Sequence, residues 1–173
     1  MRYLYPILAI GVFLQLLLNC TPAMSSTQAS TLFQPAALKP PQANQSGIRG
    51  NVVRLTGNHM PMIQDPALNA LSRSKSQRVQ THVWVFSGRI PGRDPRWALS
   101  QAKKHPKLIG RVMSNAQGEF SVALPPGEYT VFAQYSSDLY LNSFIDDGIY
   151  ATVQVKPAAI TPIDLVNGEN ATF

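Results

Sequence analysis

The chain has 173 residues, of which 45% are hydrophobic and 14% charged, and its formal net charge is +6 at neutral pH. This length is sufficient for one domain that buries its own hydrophobic core. Cys20 is the only cysteine, which excludes an intramolecular disulfide and any zinc or redox site built from cysteines.

The first twenty residues have the pattern of a secretory signal peptide. Arg2 supplies a short positive region, and Leu4 to Leu18 form an almost unbroken apolar run. This run is too short and too weakly flanked to indicate a transmembrane helix. The sequence therefore predicts an exported protein whose residues 1–20 are not part of the fold.

The end of the apolar run leaves two maturation routes open. Leu17-Leu18-Asn19-Cys20 resembles a bacterial lipobox, in which the cysteine is lipidated and anchors the mature protein to a membrane, although Asn19 stands where a small residue is usual. The alternative is ordinary cleavage after Ala23 or Ala29. The first route predicts a membrane-anchored protein of the cell envelope, and the second a periplasmic or secreted one.

Residues 21–46 are rich in Ser, Thr, Gln, Ala and Pro. This composition predicts a disordered tether. The folded domain is then expected to occupy residues 47–173.

Seven short segments in that domain have strand character. In the second, Val83 and Val85 alternate with Trp84 and Phe86, which indicates a central strand covered on both faces or a strand with one face beneath an insert. Such strands, separated by regular turn signals, favour a β-sandwich. The predicted strands are Gly47–Leu55, Thr81–Ser87, Leu108–Ser114, Glu119–Leu124, Tyr129–Tyr135, Tyr150–Val155 and Ile160–Val166, with Leu139–Phe144 as a short edge segment.

The stretch from residue 115 to residue 129 carries the clearest turn signals. Residues 115–118 are predicted to form a four-residue hairpin loop with Gly118 in a left-handed conformation. Pro126-Gly127 fits the two central positions of a type II turn. Tyr129 follows two residues later, so its hydroxyl is expected to bond back across the corner, as tyrosine corners do in sandwich folds.

Two long inserts interrupt the strands. The first, Thr56 to Gln80, is predicted to be a loop, and its order is left open. The second, Gly88 to Pro106, is predicted to carry a short helix with Asp94 as the N-cap and Trp97 in its first turn. Trp97 is expected to dock this helix on Trp84 or Phe86.

The sequence Gly118-Glu119-Phe120-Ser121-Val122-Ala123-Leu124-Pro125-Pro126-Gly127-Glu128-Tyr129-Thr130-Val131 resembles the carboxypeptidase regulatory-like domain family, together with the Gly50-Asn51-Val52 strand. The resemblance covers residues 47–166 and is firmest over 108–135. It implies a seven-stranded transthyretin-like (prealbumin-like) β-sandwich with a non-catalytic accessory or interaction role. The two inserts depart from the family pattern.

Charge is distributed unevenly along the chain. Thirteen basic and two acidic residues lie between Lys39 and Arg111, whereas one lysine and seven acids lie from Val112 to Phe173. A basic patch suits an anionic envelope partner or an acidic protein, and a solvated surface without a partner is the alternative. Nucleic acid is not expected, because the chain has an export signal and no recognition motif.

The sequence predicts no enzyme, no cofactor and no metal site. The three histidines, His59, His82 and His105, lack metal-ligand spacing. Asp146-Asp147-Gly148 fits a turn better than a calcium loop. No Gly-x-Ser-x-Gly elbow or phosphate loop is present.

Two groups of residues remain as binding candidates. The first is an aromatic surface that would stack on sugars, formed by Tyr135, Tyr140, Asn142 and Tyr150 with Phe144, although these side chains also suit a core. The second is a partner-binding patch of Arg93, Arg96 and Trp97. The sequence therefore favours a non-catalytic cell-envelope interaction module that uses the basic inserts to bind a protein or an anionic envelope component. The alternative is a carbohydrate-binding module of starch-binding-like fold.

Overall fold

Alternating apolar and polar side chains organise most of the chain into β-strands. The computed structural model describes residues 35–60, 74–146 and 148–173, which belong to one folded unit, Phe33–Phe173. The predicted signal peptide, Cys20 and residues 61–73 of the predicted first insert lie outside the described residues, and the two ends of that insert form strand instead of loop. The elements are β1 (Gly47–Asn58), β2 (Lys75–Arg78), β3 (His82–Ser87), β4 (Arg96–Ala98), α1 (Leu99–Ala102), β5 (Leu108–Met113), β6 (Glu119–Ala123), β7 (Gly127–Tyr135), β8 (Asp138–Tyr140), β9 (Phe144–Asp146), β10 (Ile149–Tyr150), β11 (Val153–Val155) and β12 (Ile160–Thr172).

These strands form two main sheets and one small ribbon. In the four-stranded sheet, β12 runs parallel to β1 on one side, and β6 and β2 pair antiparallel with successive halves of β1 on the other. The six-stranded sheet has the order β4-β8-β7-β3-β5, with β11 beside the start of β7. Strands β9 and β10 form the ribbon. The architecture is all-β and sandwich-like, as expected, although the predicted count of seven strands is not confirmed.

The main core lies between the two sheets. Ile48 and Val52 of β1 pack with Phe120 and Val122 of β6 and with the inward side chains of β3 and β7. Burial of these apolar side chains is the main stabilising contribution to the fold.

A second core covers the opposite face of the six-stranded sheet. Trp84, Phe86 and Phe132 are fully buried there and pack with residues of the insert, including Ile90 and Trp97. The prediction that β3 is covered on both faces is confirmed. The Trp97 ring lies 5.1 Å from the Phe86 ring between centroids, so the predicted docking of Trp97 on Phe86 is also confirmed.

The predicted helix in this insert begins later than expected. Residues Arg96–Ala98 form β4, so Trp97 lies in a strand, and α1 covers only Leu99–Ala102. The Asp94 side chain accepts a hydrogen bond from the Arg96 amide at 2.8 Å instead of capping a helix. Pairing of β4 with β8, which comes much later in the chain, replaces the local helical signal.

The segment from residue 115 to 118 connects the two sheets and is not a hairpin. Strand β5 pairs with β3 in one sheet, and β6 pairs with β1 in the other. Gly118 has a φ of 73°, so its predicted left-handed conformation is confirmed. The hairpin prediction is wrong because a tight turn with a left-handed glycine serves either connection.

The corner before β7 confirms one prediction and overturns another. The Tyr129 hydroxyl donates a hydrogen bond to the Pro125 carbonyl at 2.8 Å, as a tyrosine corner requires. Gly127 does not have a positive φ and is already paired with Val155 in the ladder between β7 and β11. The type II turn at Pro126-Gly127 is therefore wrong, because strand pairing starts at the glycine.

Residues 36–46 run along the edge of the sandwich, and we call them the edge strap. The Leu38 amide donates to the Arg111 carbonyl of β5 at 2.8 Å, and the Lys39 carbonyl accepts from Ala123 of β6 at 2.8 Å. Leu38 also packs against the main core. The prediction of a disordered tether is thus wrong for residues 35–46, because their backbone groups bond to both sheets.

Pro162 lies in β12 with its backbone nitrogen on the edge that faces away from β1. The Gly47 amide donates to the Ala159 carbonyl, and the parallel register pairs Gly47 with Ile160. In this ladder the backbone groups of residues 160, 162 and 164 point away from β1. Pro162 therefore stands where the ladder needs no amide donor.

Candidate functional site

The predicted aromatic surface is largely buried. Tyr135, Tyr140 and Tyr150 expose only 7%, 5% and 3% of their surface. Tyr135 and Tyr140 belong to the main core, whereas Tyr150 belongs to the second core on the other face of the six-stranded sheet. Asn142 is exposed. The structure therefore does not bring these four residues together as one sugar-stacking surface, and the interpretation as core residues fits the three tyrosines.

Tyr150 braces the second core. Its hydroxyl donates to the Asp94 carbonyl, and its ring stacks on Phe144 with 5.1 Å between centroids. Burial raises the pKa of Tyr150. A buried phenol with a backbone acceptor holds the insert against the sheet and is not available to a ligand.

Tyr135 differs, because its buried hydroxyl has no hydrogen-bond partner within the described part of the chain. Burial raises the pKa of this hydroxyl to about 12. The Arg54 guanidinium lies over the Tyr135 ring at 4.9 Å from the centroid, and Tyr140 packs edge-to-face at 6.0 Å. The phenol thus stays protonated at neutral pH and contributes packing.

The predicted basic patch is only partly available to a partner. The Arg96 guanidinium forms a fork with Glu169 and also donates to Asp138 at 3.0 Å. Hydrogen bonding from Arg96 lowers the pKa of Glu169. Arg93 is exposed and also interacts within the protein. Trp97 is half-buried and packs against the second core, so it serves the packing of the insert.

The sequence did not predict a groove on the outer face of the four-stranded sheet, which we call the sheet groove. Its volume is about 980 Å³. Side chains that alternate outward from β1, β6 and β12 form its floor, and the edge strap and the end of β5 form part of its sides. The lining includes Pro40, Arg49, Asn51, Met113, Asn115, Glu119, Ser121, Pro162 and Asp164.

Strand register aligns the floor of the sheet groove in two rows. Asn51 stands opposite Glu119 on one side and Asp164 on the other, and Arg49 stands opposite Ser121 and Pro162. The side-chain Nδ2 of Asn51 donates to Asp164 Oδ1 at 2.8 Å. The side-chain Nδ2 of Asn115 donates to Glu119 Oε2 at 3.0 Å. The second oxygen of each carboxylate accepts no hydrogen bond among the described residues.

Arg49 completes this floor. It is exposed and forms no ion pair within residues 35–60, 74–146 and 148–173. The groove therefore presents two carboxylate acceptors and one guanidinium donor on neighbouring strands of one sheet. Alternation in β1 marks Arg49 and Asn51 as outward, but the parallel pairing that adds Asp164 had no local signal in the sequence.

Other kinds of site are not found among the described residues. They contain no group of three or more His, Cys, Asp or Glu side chains arranged to hold a metal ion. None of their helices has both the length and the apolar character needed to cross a bilayer.

Comparison with known proteins gives no family for the chain. No protein-family model matches it, and no curated protein or solved structure shows significant similarity to it.

Proposed function

We propose that this chain is an exported, non-catalytic binding module of the cell envelope that holds its partner in the sheet groove. The observation that carries the proposal is the difference between the two sheets. The insert seals the outer face of the six-stranded sheet with a second core, whereas the outer face of the four-stranded sheet is left open as a groove with fixed polar side chains. Sites of this kind bind ligands by a few positioned polar groups.

The groove replaces the basic insert as the main binding surface in this proposal. Arg89 pairs with Glu128 at 3.1 Å, and Arg96 pairs with Asp138 and Glu169. Exposed cations that already form ion pairs have less charge available to attract an anionic partner. Lys103 and Lys104 at the end of α1 remain as a smaller basic surface for such a partner.

The envelope location rests on the sequence. Residues 1–20 have the pattern of a signal peptide, and Cys20 ends a lipobox-like run. The β-sandwich is also compatible with the transthyretin-like fold of carboxypeptidase regulatory-like domains, whose members are mostly interaction modules. We include lipidation of Cys20 in the proposal. Lipid on the mature N-terminus would support it, and an N-terminus at Met24 or Ser30 would contradict it.

Site-specific photo-cross-linking in intact cells tests the binding surface. A photoreactive residue at Ser121 lies in the sheet groove, and one at the exposed Ser100 of α1 is the matched control on the insert. We expect a defined adduct with an envelope component from position 121 and not from position 100. An adduct only from position 100 would move the site to the insert, and no adduct from either would contradict the proposal.

A further inference from the structure

We infer that the sheet groove binds a neutral, hydroxyl-rich glycan chain. This inference rests on the proposed function and names the ligand class for the same groove. It depends on three properties of the groove, which are the fixed polar floor, the balance of charge and the apolar sides.

The acceptors on the floor are held in place before any ligand binds. Asn51 fixes Asp164 at 2.8 Å, and Asn115 fixes Glu119 at 3.0 Å. Asn115 is itself held, because its Oδ1 accepts from the amides of Gln117 and Glu119 at 3.0 and 2.8 Å. Preorganised acceptors of this kind reduce the entropy lost on binding. The free oxygen of each carboxylate is suited to accept from a sugar hydroxyl.

The charges of the floor disfavour ligands with a strong charge of either sign. A polyanion that pairs with Arg49 would also lie beside Glu119 and Asp164, which flank Asn51 in the neighbouring row of the floor. A polycation that pairs with Glu119 or Asp164 would meet the positive charge of Arg49 in the neighbouring row of the floor. Hydroxyl groups satisfy both kinds of side chain, because each hydroxyl donates to a carboxylate and accepts from a guanidinium.

The sides of the groove supply apolar contact. Met113 exposes 49% of its surface, and Pro40 is also exposed in the lining, while Pro162 adds an exposed apolar side chain to the floor. Such side chains suit the C–H faces of sugar rings. The volume of about 980 Å³ lies at the upper end of small-ligand sites, which favours several linked sugars over one. Because the lining contains no exposed aromatic ring, we expect weak binding, with a Kd of about 1 mM.

Titration of the purified full chain followed by NMR amide shifts tests the inference. The probes are three neutral oligosaccharides, namely maltohexaose, cellohexaose and the tetramer of N-acetylglucosamine. We expect at least one of them to shift the resonances of Asn51, Asn115 and Ser121 in a saturable way. No saturable shift with any of the three at about 10 mM would overturn the inference.

Paired variants show whether the groove is responsible. Asn51→Ala combined with Asp164→Ala removes two of the three side chains in the row that Glu119 completes, and both are on the solvent side of the sheet. The matched control is Ser76→Ala with Arg78→Ala on the exposed strand β2 of the same sheet. We expect at least tenfold weaker binding in the first pair and unchanged binding in the second. Equal binding by the first pair and the wild type would contradict the inference.

The cross-linking experiment separates the two proposals. A protein adduct at position 121 with no oligosaccharide binding would leave the binding module intact and refute the glycan. No adduct and no binding would refute both. Preferential binding of a polyanion, such as a polyphosphate probe, over the neutral sugars would also overturn the inference.

Discussion

The hydroxyl of Tyr129 at the corner between β6 and β7 should make a measurable contribution to the stability of this fold. The Tyr129 hydroxyl donates to the Pro125 carbonyl at 2.8 Å, and the residue exposes only 6% of its surface. Tyr129→Phe keeps the ring and removes the donor, which leaves the carbonyl without this partner. We expect the free energy of unfolding to fall by about 0.5–1.5 kcal/mol. For a domain of this size the melting temperature should fall by about 2–6 °C.

Tyr135 provides the matched control, because its equally buried hydroxyl has no partner in the described structure. Tyr135→Phe removes an unpaired polar group, so the free energy of unfolding should stay constant or rise by up to about 1 kcal/mol. Urea unfolding of both variants and the wild type at about pH 8 makes the comparison. Equal losses in the two variants, or no loss in Tyr129→Phe, would refute the hydrogen-bond reasoning.

The effect of Tyr135→Phe on the free energy of unfolding should depend on pH. The pKa of Tyr135 is raised by burial from 10.0 to about 12. Between these values the folded protein keeps the phenolic proton and the unfolded chain loses it. Unfolding then releases a proton, so stability falls as the pH rises through this window. Tyr135→Phe should reduce this alkaline loss, and an unchanged slope above pH 10 would contradict the assignment.

Two further predictions concern the strap and the ion pairs. A Cβ at Gly110 would lie 2.5 Å from the Ala36 carbonyl oxygen. Gly110→Val should therefore detach the edge strap and speed proteolysis within residues 35–46. An unchanged rate of cleavage would contradict this packing of the strap on β5. Arg96→Lys breaks the fork to Glu169 and should cost less than about 1 kcal/mol. The difference from wild type should shrink in 1 M salt, and a salt-independent loss would show that Arg96 acts by packing.

Local patterns predicted the strands better than their partners. Alternation in residues 120–124 identified the buried side chains of β6 because burial on a half-exposed sheet follows a period of two, and the unbroken apolar run of residues 83–86 indicated that β3 is covered on both faces. The hydrogen bond of Tyr129 followed from its distance to the turn. The same patterns do not reveal which strand lies beside which, so the parallel pairing of β1 with β12 and the arch at residues 115–118 were missed.

The wrong predictions for individual site residues have similar physical causes. Asp94-Pro95 resembles a helix start, yet an Asx turn before a strand uses the same side-chain acceptor. Tyr140 combines a large apolar ring with a polar tip, so the sequence suits either a binding surface or a core. The sheet groove needs side chains from three strands and became visible only when their register was known.

Pro162 and the edge strap together have a consequence for crowding. The proposed lipidation of Cys20 would hold many copies at one membrane surface, and open strand edges tend to join at such a high local concentration. The strap occupies edge positions of β5 and β6, and Pro162 removes an amide donor from the outer edge of β12. Crowded copies should therefore not join through the edges of β5, β6 or β12.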